Sequence, residues 1–396
     1  MKRLGSSLAL VALLLAGAYW VLQESEVHTG NRYFAVIAFA PGGNEAFISG
    51  QEAGAISIFS FADNRQSDHF SVDGVILAMV FHPDGSKAYV LSTLAGRDTI
   101  DVIDVAKRRV ASRILVSPCN ARNMAISPDG RMLLLASGFA RPSCAVQVDT
   151  ATLLPSQIAT PEVNIGETRT VNSVVSADAS RIVSTLQGNV FARVRGAYAV
   201  VTRSMGGGGE VSELTLGKFA PSLVATNPDN TTLAMADHAT GPGQPLIRLV
   251  NLAGGATTDI AASELLAPLV AIAFSADSRQ LYAVVWGDLE VPARLLSFEV
   301  DRPTAMKSMA LRVVPDGMAL SPDGSKLVLL ANEDLWGQVP SNQVGLVTVI
   351  DTRTRVMAPA APLKASLAQT IWVMADRLAA HLPGASERHR RILSCP

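Results

Sequence analysis

The chain has 396 residues, of which 48% are hydrophobic and 17% charged, and its 33 Lys and Arg nearly balance its 34 Asp and Glu. A formal net charge of −1 provides no basic surface for a polyanion, and an aromatic content of 5% argues against a platform for stacked bases. Nucleic acid is therefore excluded as an expected ligand, whereas the apolar content is sufficient for a large core.

Residues 1–22 have the features of a targeting segment. Lys2 and Arg3 precede an almost unbroken apolar run from Leu4 to Leu22, and Ala16-Gly17-Ala18 within it is typical of a signal-peptidase site. If the run is not cleaved, residues 4–22 are long enough to anchor the chain in a bilayer. Both readings place the rest of the chain in the periplasm or outside the cell, with membrane contact only through this segment.

A polar spacer, residues 23–32, leads into a repeated hairpin. In Met124–Ser137, MAISPDGRMLLLAS, Pro, Asp and Gly favour a tight turn between two apolar strands. The same frame occurs seven times, at intervals of 42 to 51 residues, with its turn position at Pro41, Pro83, Pro128, Ala177, Pro228, Ala276 and Pro322. A strand-rich repeat of this length predicts an all-β propeller of seven four-stranded blades over residues 33–363.

The best-preserved repeat carries a family resemblance. The run KAYVLSTLAGRDTIDVIDVAKRRVASRI from Lys87, together with MALSPDGSKLVLLA and VTVIDTRTR near the end, resembles the YVTN-type β-propeller repeat family, whose "YV" corresponds to Tyr89-Val90. The resemblance implies an exported bacterial or archaeal propeller. It does not imply one activity, because propellers host enzymes, electron-transfer proteins and binding scaffolds.

The connections predict one binding face. Long loops follow the second strands of the last three blades, in residues 237–245, 286–293 and 332–342, and the latter two contain Trp286 and Trp336. These loops share a face with the inter-blade connections, and loops gathered on one face are where a scaffold usually binds. Cys119 and Cys144 also fall on this face, where a disulfide between them is favoured over two free thiols, whereas Cys395 has no evident partner.

Polar residues near the starts of the innermost strands are candidates for a second site, at the mouth of the central channel. They are Asn120, Arg122, Asn123, Arg169, Asn172 and Asp316. Two arginines and several amides can hold a small anion or the carboxylate of a partner. The alternative is that most of them bond loop carbonyls and end the inner strands.

The sequence contains no motif for a cofactor or a metal, and its six histidines are scattered. His82, beside a hairpin turn, is expected to form a hydrogen bond with that turn.

Three functions are compatible with the sequence. The first is a non-enzymatic exported propeller that binds a protein or a cell-envelope component through its long-loop face. The second is a lactonase-like hydrolase using Asp316 with Arg122 or Arg169, and the third is a redox accessory subunit.

The C-terminal segment, residues 364–396, has two interpretations. Residues 366–382 have the capping box and apolar stripe of a helix that stops at Pro383-Gly384. The same residues can also be read as strands of a degenerate eighth blade.

Overall fold

The structure is a computed structural model, and it describes most of the region between residues 35 and 364. Within the described residues every regular element is a β-strand, and no helix is long or apolar enough to cross a membrane. The described ranges are 35–50, 54–116, 121–137, 145–158, 169–176, 178–187, 198–204, 211–217, 221–237, 247–260, 269–287, 291–331 and 343–364.

The strands form seven four-stranded antiparallel sheets, each from one continuous stretch of chain and numbered here as blades 1 to 7. Blades 1 to 3 contain β1 (Val36–Phe39), β2 (Glu45–Ser49), β3 (Ala55–Ser60), β4 (Arg65–Ser71), β5 (Val75–Phe81), β6 (Lys87–Leu94), β7 (Arg97–Asp104), β8 (Arg109–Val116), β9 (Ala121–Ile126), β10 (Met132–Ser137), β11 (Ala145–Asp149) and β12 (Pro155–Ile158).

Blades 4 to 7 follow the same order from the inner to the outer strand. They contain β13 (Arg169–Val175), β14 (Arg181–Gln187), β15 (Tyr198–Ser204), β16 (Val211–Gly217), β17 (Pro221–Thr226), β18 (Thr232–Asp237), β19 (Ile247–Asn251), β20 (Thr257–Ile260), β21 (Leu269–Phe274), β22 (Gln280–Val285), β23 (Arg294–Glu299), β24 (Arg302–Ala310), β25 (Gly317–Leu320), β26 (Lys326–Ala331), β27 (Gln343–Asp351) and β28 (Ala361–Lys364).

The blades close into a ring. Each first strand packs against the first strand of the next blade, and β25 of blade 7 packs against β1 of blade 1. Apolar side chains are buried in seven separate clusters, one between each pair of neighbouring blades. The all-β propeller predicted from the sequence is thereby confirmed.

Each second strand is buried on both faces, which explains the unbroken apolar runs of the sequence. In β6, Ala88 and Val90 belong to the cluster between blades 1 and 2, whereas Tyr89 and Leu91 belong to the cluster between blades 2 and 3. Successive side chains of a strand point to opposite faces, so a strand between two blades needs apolar residues at every position. A run without polar alternation is therefore the expected pattern here.

The repeated turn joins the first two strands of each blade. In blade 3, Met132 N donates to Ser127 Oγ at 3.0 Å, and Ser127 Oγ donates to Asp129 Oδ1 at 2.6 Å. Gly130 has a positive φ of 73°. Blade 4 lacks both Pro and Gly, yet it makes the same turn with Ala179 at a φ of 53°. The side-chain network therefore specifies the turn as strongly as its glycine does.

The tips of these turns touch from blade to blade. His82 of blade 2 lies against Gly130 of blade 3, where an added Cβ would be 2.3 Å from His82 Nε2. The same ring bonds its own turn as expected, with Nδ1 2.7 Å from Asp84 Oδ1. Further round, Asp229 N of blade 5 donates to Ser278 Oγ of blade 6 at 3.3 Å. These contacts link consecutive blades at one end of the channel.

The turns after the third strands provide a second set of links. Arg108 and Arg355, both with a positive φ, reach the preceding blade, where they bond Asp68 and Ser297. Asn64 takes the same position in blade 1, and its Nδ2 donates to Pro359 O of blade 7 at 3.1 Å. The joint that closes the ring, between blades 7 and 1, therefore has the same kind of contact as the joints between blades 1 and 2 and between blades 6 and 7.

The compact unit of the described chain extends over Phe34–Leu363. The predicted targeting segment, the spacer and the two interpretations of the C-terminal segment lie outside the described residues, apart from Lys364, which ends β28. The predicted domain boundaries stay predictions.

We expect Gly130→Ala to destabilise the protein more than Gly85→Ala. Both glycines have a positive φ, which costs a non-glycine residue about 1–2 kcal/mol. The nearest atom to an added Cβ at Gly85 is 3.8 Å away, whereas at Gly130 the His82 ring is in the way and adds about 1–3 kcal/mol. Urea unfolding measures both losses. In a His82→Ala background the two substitutions should cost the same, and a gap that persists there would contradict the interpretation.

Acid should remove the stabilisation supplied by Asp323. Its Oδ1 accepts hydrogen bonds from Ser321 Oγ at 2.6 Å and Ser325 N at 3.1 Å, and these hold the pKa of the carboxyl well below its usual range. Because the folded pKa is depressed, this stabilisation is present above the unfolded pKa of about 4 and is lost as the pH falls through the folded value.

Accordingly, Asp323→Asn should lower the urea midpoint at pH 6, and the difference from the unmodified protein should shrink progressively below about pH 4. Asp301→Asn, at an exposed position on a different turn, is the control and should change the midpoint little at any pH. A deficit of Asp323→Asn that is constant with pH would argue against the charged hydrogen bonds.

Candidate binding face

The two ends of the ring are built differently. The hairpin face carries the connections between first and second strands and between third and fourth strands. The loop face carries the connections between second and third strands and those between blades. This division follows from four antiparallel strands per blade, since successive connections alternate between the two ends.

On the hairpin face, the connection between the first and second strands has five residues in every blade, as in 40–44, 127–131 and 321–325. On the loop face, the connection between the second and third strands ranges from two residues, 95–96 in blade 2, to eleven, 332–342 in blade 7. The connections between third and fourth strands, also on the hairpin face, vary from two to nine residues, so the first turns are constant while the longest loops lie on the loop face. Long loops on one face are the usual site of a binding surface.

The first strands of five blades share a β-bulge near their start. In five blades one residue of the first strand is left out of the pairing with the second strand, and it always lies five positions before the first residue of the hairpin turn. The residues skipped in this register are Leu77, Arg122, Val171, Ser222 and Val270. Such bulges re-aim side chains at the ends of sheets and next to binding sites.

Arg122 and Asp316 occupy this same position in their repeats. Arg122 is the bulged residue of β9, and Asp316 lies directly before β25, five residues before Ser321, with its N–H donating to Leu330 O at 2.7 Å. Both side chains are half-buried. They come from blades 3 and 7, which are not neighbours in the ring.

The other predicted channel residues divide between two blades. Asn123 follows Arg122 in β9 and is half-buried, while Arg169 and Asn172 belong to β13. Because β9 and β13 pack against each other, the structure places these strands side by side. Asp316, on blade 7, is separated from both by several blades. Asn120 lies outside the described residues.

A buried carboxylate that the sequence analysis missed holds the start of β9. Asp98 is only 3% exposed, and its Oδ2 accepts a hydrogen bond from Ala121 N at 3.0 Å. This bond connects blade 2 to the residue that precedes Arg122. The sequence signal for this residue is weak. Asp98 is the second residue after the two-residue turn 95–96, and it shares a strand face with the apolar Ile100 and Val102.

A second acidic residue of β7 joins this strand to β8, the outer strand of blade 2. Asp101 is fully buried and receives two hydrogen bonds from Arg113, at 2.6 and 3.1 Å, and Arg113 also bonds Asp73 at 2.8 Å. The bonds to Asp101, followed by the one to Asp73, raise the pKa of the Arg113 guanidinium. Asp73 lies between β4 and β5, so this pair fixes the connection from blade 1 to blade 2.

Two large apolar side chains of the loop-face connections are exposed to solvent. Leu94, at the tight turn of blade 2, is 53% exposed, and Val291, in the 286–293 loop of blade 6, is 54% exposed. Trp286, at the base of the same loop, is half-buried.

Trp336, Cys119 and Cys144 lie outside the described residues, as do most residues of the longest loops. No group of metal-binding side chains occurs in the part of the chain that is described.

Replacing Asp98 by Ala should loosen the start of β9. The substitution leaves the buried N–H of Ala121 without its acceptor, at a cost of about 1–3 kcal/mol. Urea unfolding should show this loss, and hydrogen exchange should be faster at residues 121–124. Asp73→Ala, which removes an exposed ion pair, is the matched control and should cost less than about 1 kcal/mol. Equal effects of the two variants would show that Asp98 does not hold the strand.

Comparison with known proteins supports the fold alone. No protein-family model matches the sequence, and no curated protein matches it. Among solved structures, the chain is similar to one described as Kuenenia stuttgartiensis hydrazine synthase, with a TM-score of 0.61 and 15% sequence identity over 86% of this chain and 98% of that one. At this identity the likeness carries no information on activity, and it shows that the chain folds as a β-propeller.

Proposed function

We propose that this protein is an exported, non-enzymatic β-propeller that binds a protein or another cell-envelope component through its loop face. The observation that carries the proposal is the inequality of the two faces. Every first turn on the hairpin face has five residues, whereas the loops after the second strands vary from two to eleven. The connections between third and fourth strands on the hairpin face also vary, from two to nine residues, but five of the seven loops after the second strands have seven or more residues, and such long loops gathered on one face present a surface for recognition.

The described part of the loop face has the side chains that such a surface uses. Leu94 and Val291 expose more than half of their area, and Trp286 lies at the base of the Val291 loop. Aromatic and large apolar side chains supply most of the binding energy at protein interfaces. Arg97, directly after the Leu94 turn, and Arg312, in the connection from blade 6 to blade 7, are exposed as well.

Export and family membership belong to the same proposal. Lys2 and Arg3, followed by the apolar run from Leu4 to Leu22, support translocation of the propeller across a membrane. The resemblance of the blade 2 and blade 7 repeats to the YVTN-type family agrees with this location, because members of that family are typically exported.

The lactonase-like alternative has a specific geometric requirement. Asp316 and either Arg122 or Arg169 would have to act on one substrate, yet they belong to blade 7 and to blades 3 and 4. A shared substrate would have to contact inner strands of these different blades at the channel mouth. The exposed apolar side chains of the loop face favour binding over this alternative.

Site-specific photo-cross-linking in cells tests the proposal. A photoreactive amino acid placed at Leu94 or Val291 should give the same covalent protein or glycan adduct from both positions, since both lie on the loop face. Arg131 and Arg279, exposed positions on the hairpin face, serve as controls and should not give this adduct. Recovery of the protein in the envelope fraction is expected as well.

Two results would overturn the proposal. Adducts formed equally from the loop-face and hairpin-face positions would mean that the loop face has no special role. Recovery of the folded protein among cytosolic proteins would show that it is not exported.

A further inference from the structure

Exposed apolar side chains are concentrated on blade 2. Six large apolar side chains are exposed among the described residues, and three of them belong to this blade: Leu94 at 53%, Val110 at 37% and Leu115 at 60%. The other three are spread over blades 3, 6 and 7. Two of the blade 2 residues, Val110 and Leu115, lie on β8, the outermost strand of the blade.

Strand pairing places Val110 and Leu115 on one face of blade 2. Leu115 pairs with Thr99 of β7, and Val110 pairs with Ile103. Thr99 and Ile103 are four positions apart in β7 and therefore share a face, and Ile103 belongs to the cluster between blades 1 and 2. A bulge at Ala111, which this pairing skips, brings the two apolar side chains of β8 onto the same face.

The outer side of β8 is an open strand edge. No strand of the described chain pairs with it, and such an edge presents N–H and C=O groups that another strand can join. Strand β8 has eight residues, contains neither Pro nor Lys, and pairs regularly with β7 from Ser112 to Val116. A regular edge of this kind is suited to strand addition.

The other outer strands with described side chains are less suited to strand addition. Strands β12 and β20 have only four residues each, β28 contains Pro362, and β24 carries the exposed Lys307. The exposed residues of β4 are all polar. Short length, Pro and Lys are the features that protect a sheet edge from pairing with another chain.

Two exposed arginines flank β8. Arg109 begins the strand, and Arg97 begins β7 beside the other end of β8, and neither forms an ion pair within the described part of the chain. The exposed carboxylates of this region are already bonded to basic side chains. These pairs are Asp68 with Arg108, Asp73 with Arg113, and Asp104 with Lys107. The edge therefore attracts an acidic partner, whereas it repels the equally basic edge of a second copy of this chain.

We propose that β8 accepts an extended, acidic segment of another protein as a fifth strand of blade 2. The backbone of the segment pairs with the open edge, and two apolar side chains of the segment pack against Val110 and Leu115. Because Arg113 lies between these two on the same face, the apolar residues of the segment are four positions apart. The rim of blade 2 is a different surface from the loop face, so this inference goes beyond the proposed function and does not depend on it.

Three synthetic peptides test the register and the charge of the added strand. EELTSTVEE has its Leu and Val four positions apart, on one face of a strand, whereas EELTSVTEE has the same composition with the two on opposite faces. In fluorescence anisotropy with the full chain, we expect the second peptide and the basic KKLTSTVKK to bind at least about threefold more weakly than the first. Binding of the first peptide should also slow hydrogen exchange of the backbone N–H groups in residues 112–116, because the added strand pairs with them.

A pair of matched variants tests the surface on the protein. Leu115→Glu replaces an apolar contact by a like charge and should weaken binding of EELTSTVEE at least about threefold. Leu154→Glu is the control, because Leu154 is equally an exposed leucine, at 67%, but lies directly before β12 of blade 3. This control should leave binding unchanged.

Several results would overturn the inference. They are the absence of binding up to about 1 mM peptide, equal binding of the two acidic peptides, protection from exchange outside β8 only, and unchanged binding by Leu115→Glu. Dimerisation of the chain that Leu115→Glu abolishes would identify a second copy as the occupant and would reject the acidic partner. The proposed function fails separately, since it depends on the adducts formed from the loop face.

Discussion

The structure depends on packing between sheets that are apolar on both faces. A sheet in most domains has one buried face, but each blade here lies between two others, and seven separate clusters of buried side chains fill the joints. Hydrogen bonds hold the four strands of a blade together, whereas most of the contact between neighbouring blades is side-chain packing. Contacts at the turns also join neighbouring blades. His82 of blade 2 lies against Gly130 of blade 3, and Asn64 of blade 1 donates a hydrogen bond to Pro359 of blade 7.

The turns of the hairpin face stabilise the fold, whereas the connections of the loop face are free to vary. The turns of the hairpin face are satisfied internally by Ser, Asp and backbone groups, as in the network of Ser127, Asp129 and Met132. The turn between the first and second strands has five residues in every blade, because a longer turn would break both this network and the contact with the next blade. Loops at the other end have no such constraint, and they can change in length and chemistry without disturbing the clusters between blades.

Much of this fold was predictable from the sequence because its repeats are local. Short-range rules account for the turn residues and the apolar second strands. They also account for Asp149 and Asp351, each of which ends a third strand and accepts a hydrogen bond from the backbone N–H three residues later. The inner-strand bulge and the bond from Asp98 to Ala121 were not predictable, since they depend on a neighbouring strand or blade. Arg122 and Asp316 were assigned from the repeat to blades 3 and 7, and their use at the channel mouth stays a prediction. Several other predicted residues, including Asn120, Trp336 and the two cysteines, fall outside the described part.

The construction of each blade from one continuous stretch has a consequence for how such a chain can change. Many ring-shaped proteins would lose a strand ladder if a repeat were inserted or removed, because their first and last segments share a sheet. Here the ladders of every described blade are internal to it, and blades 7 and 1 meet only as two finished sheets. Duplication or loss of a whole repeat would therefore leave all hydrogen-bonded sheets intact, and the size of the ring would be selected by the angle at which neighbouring faces fit.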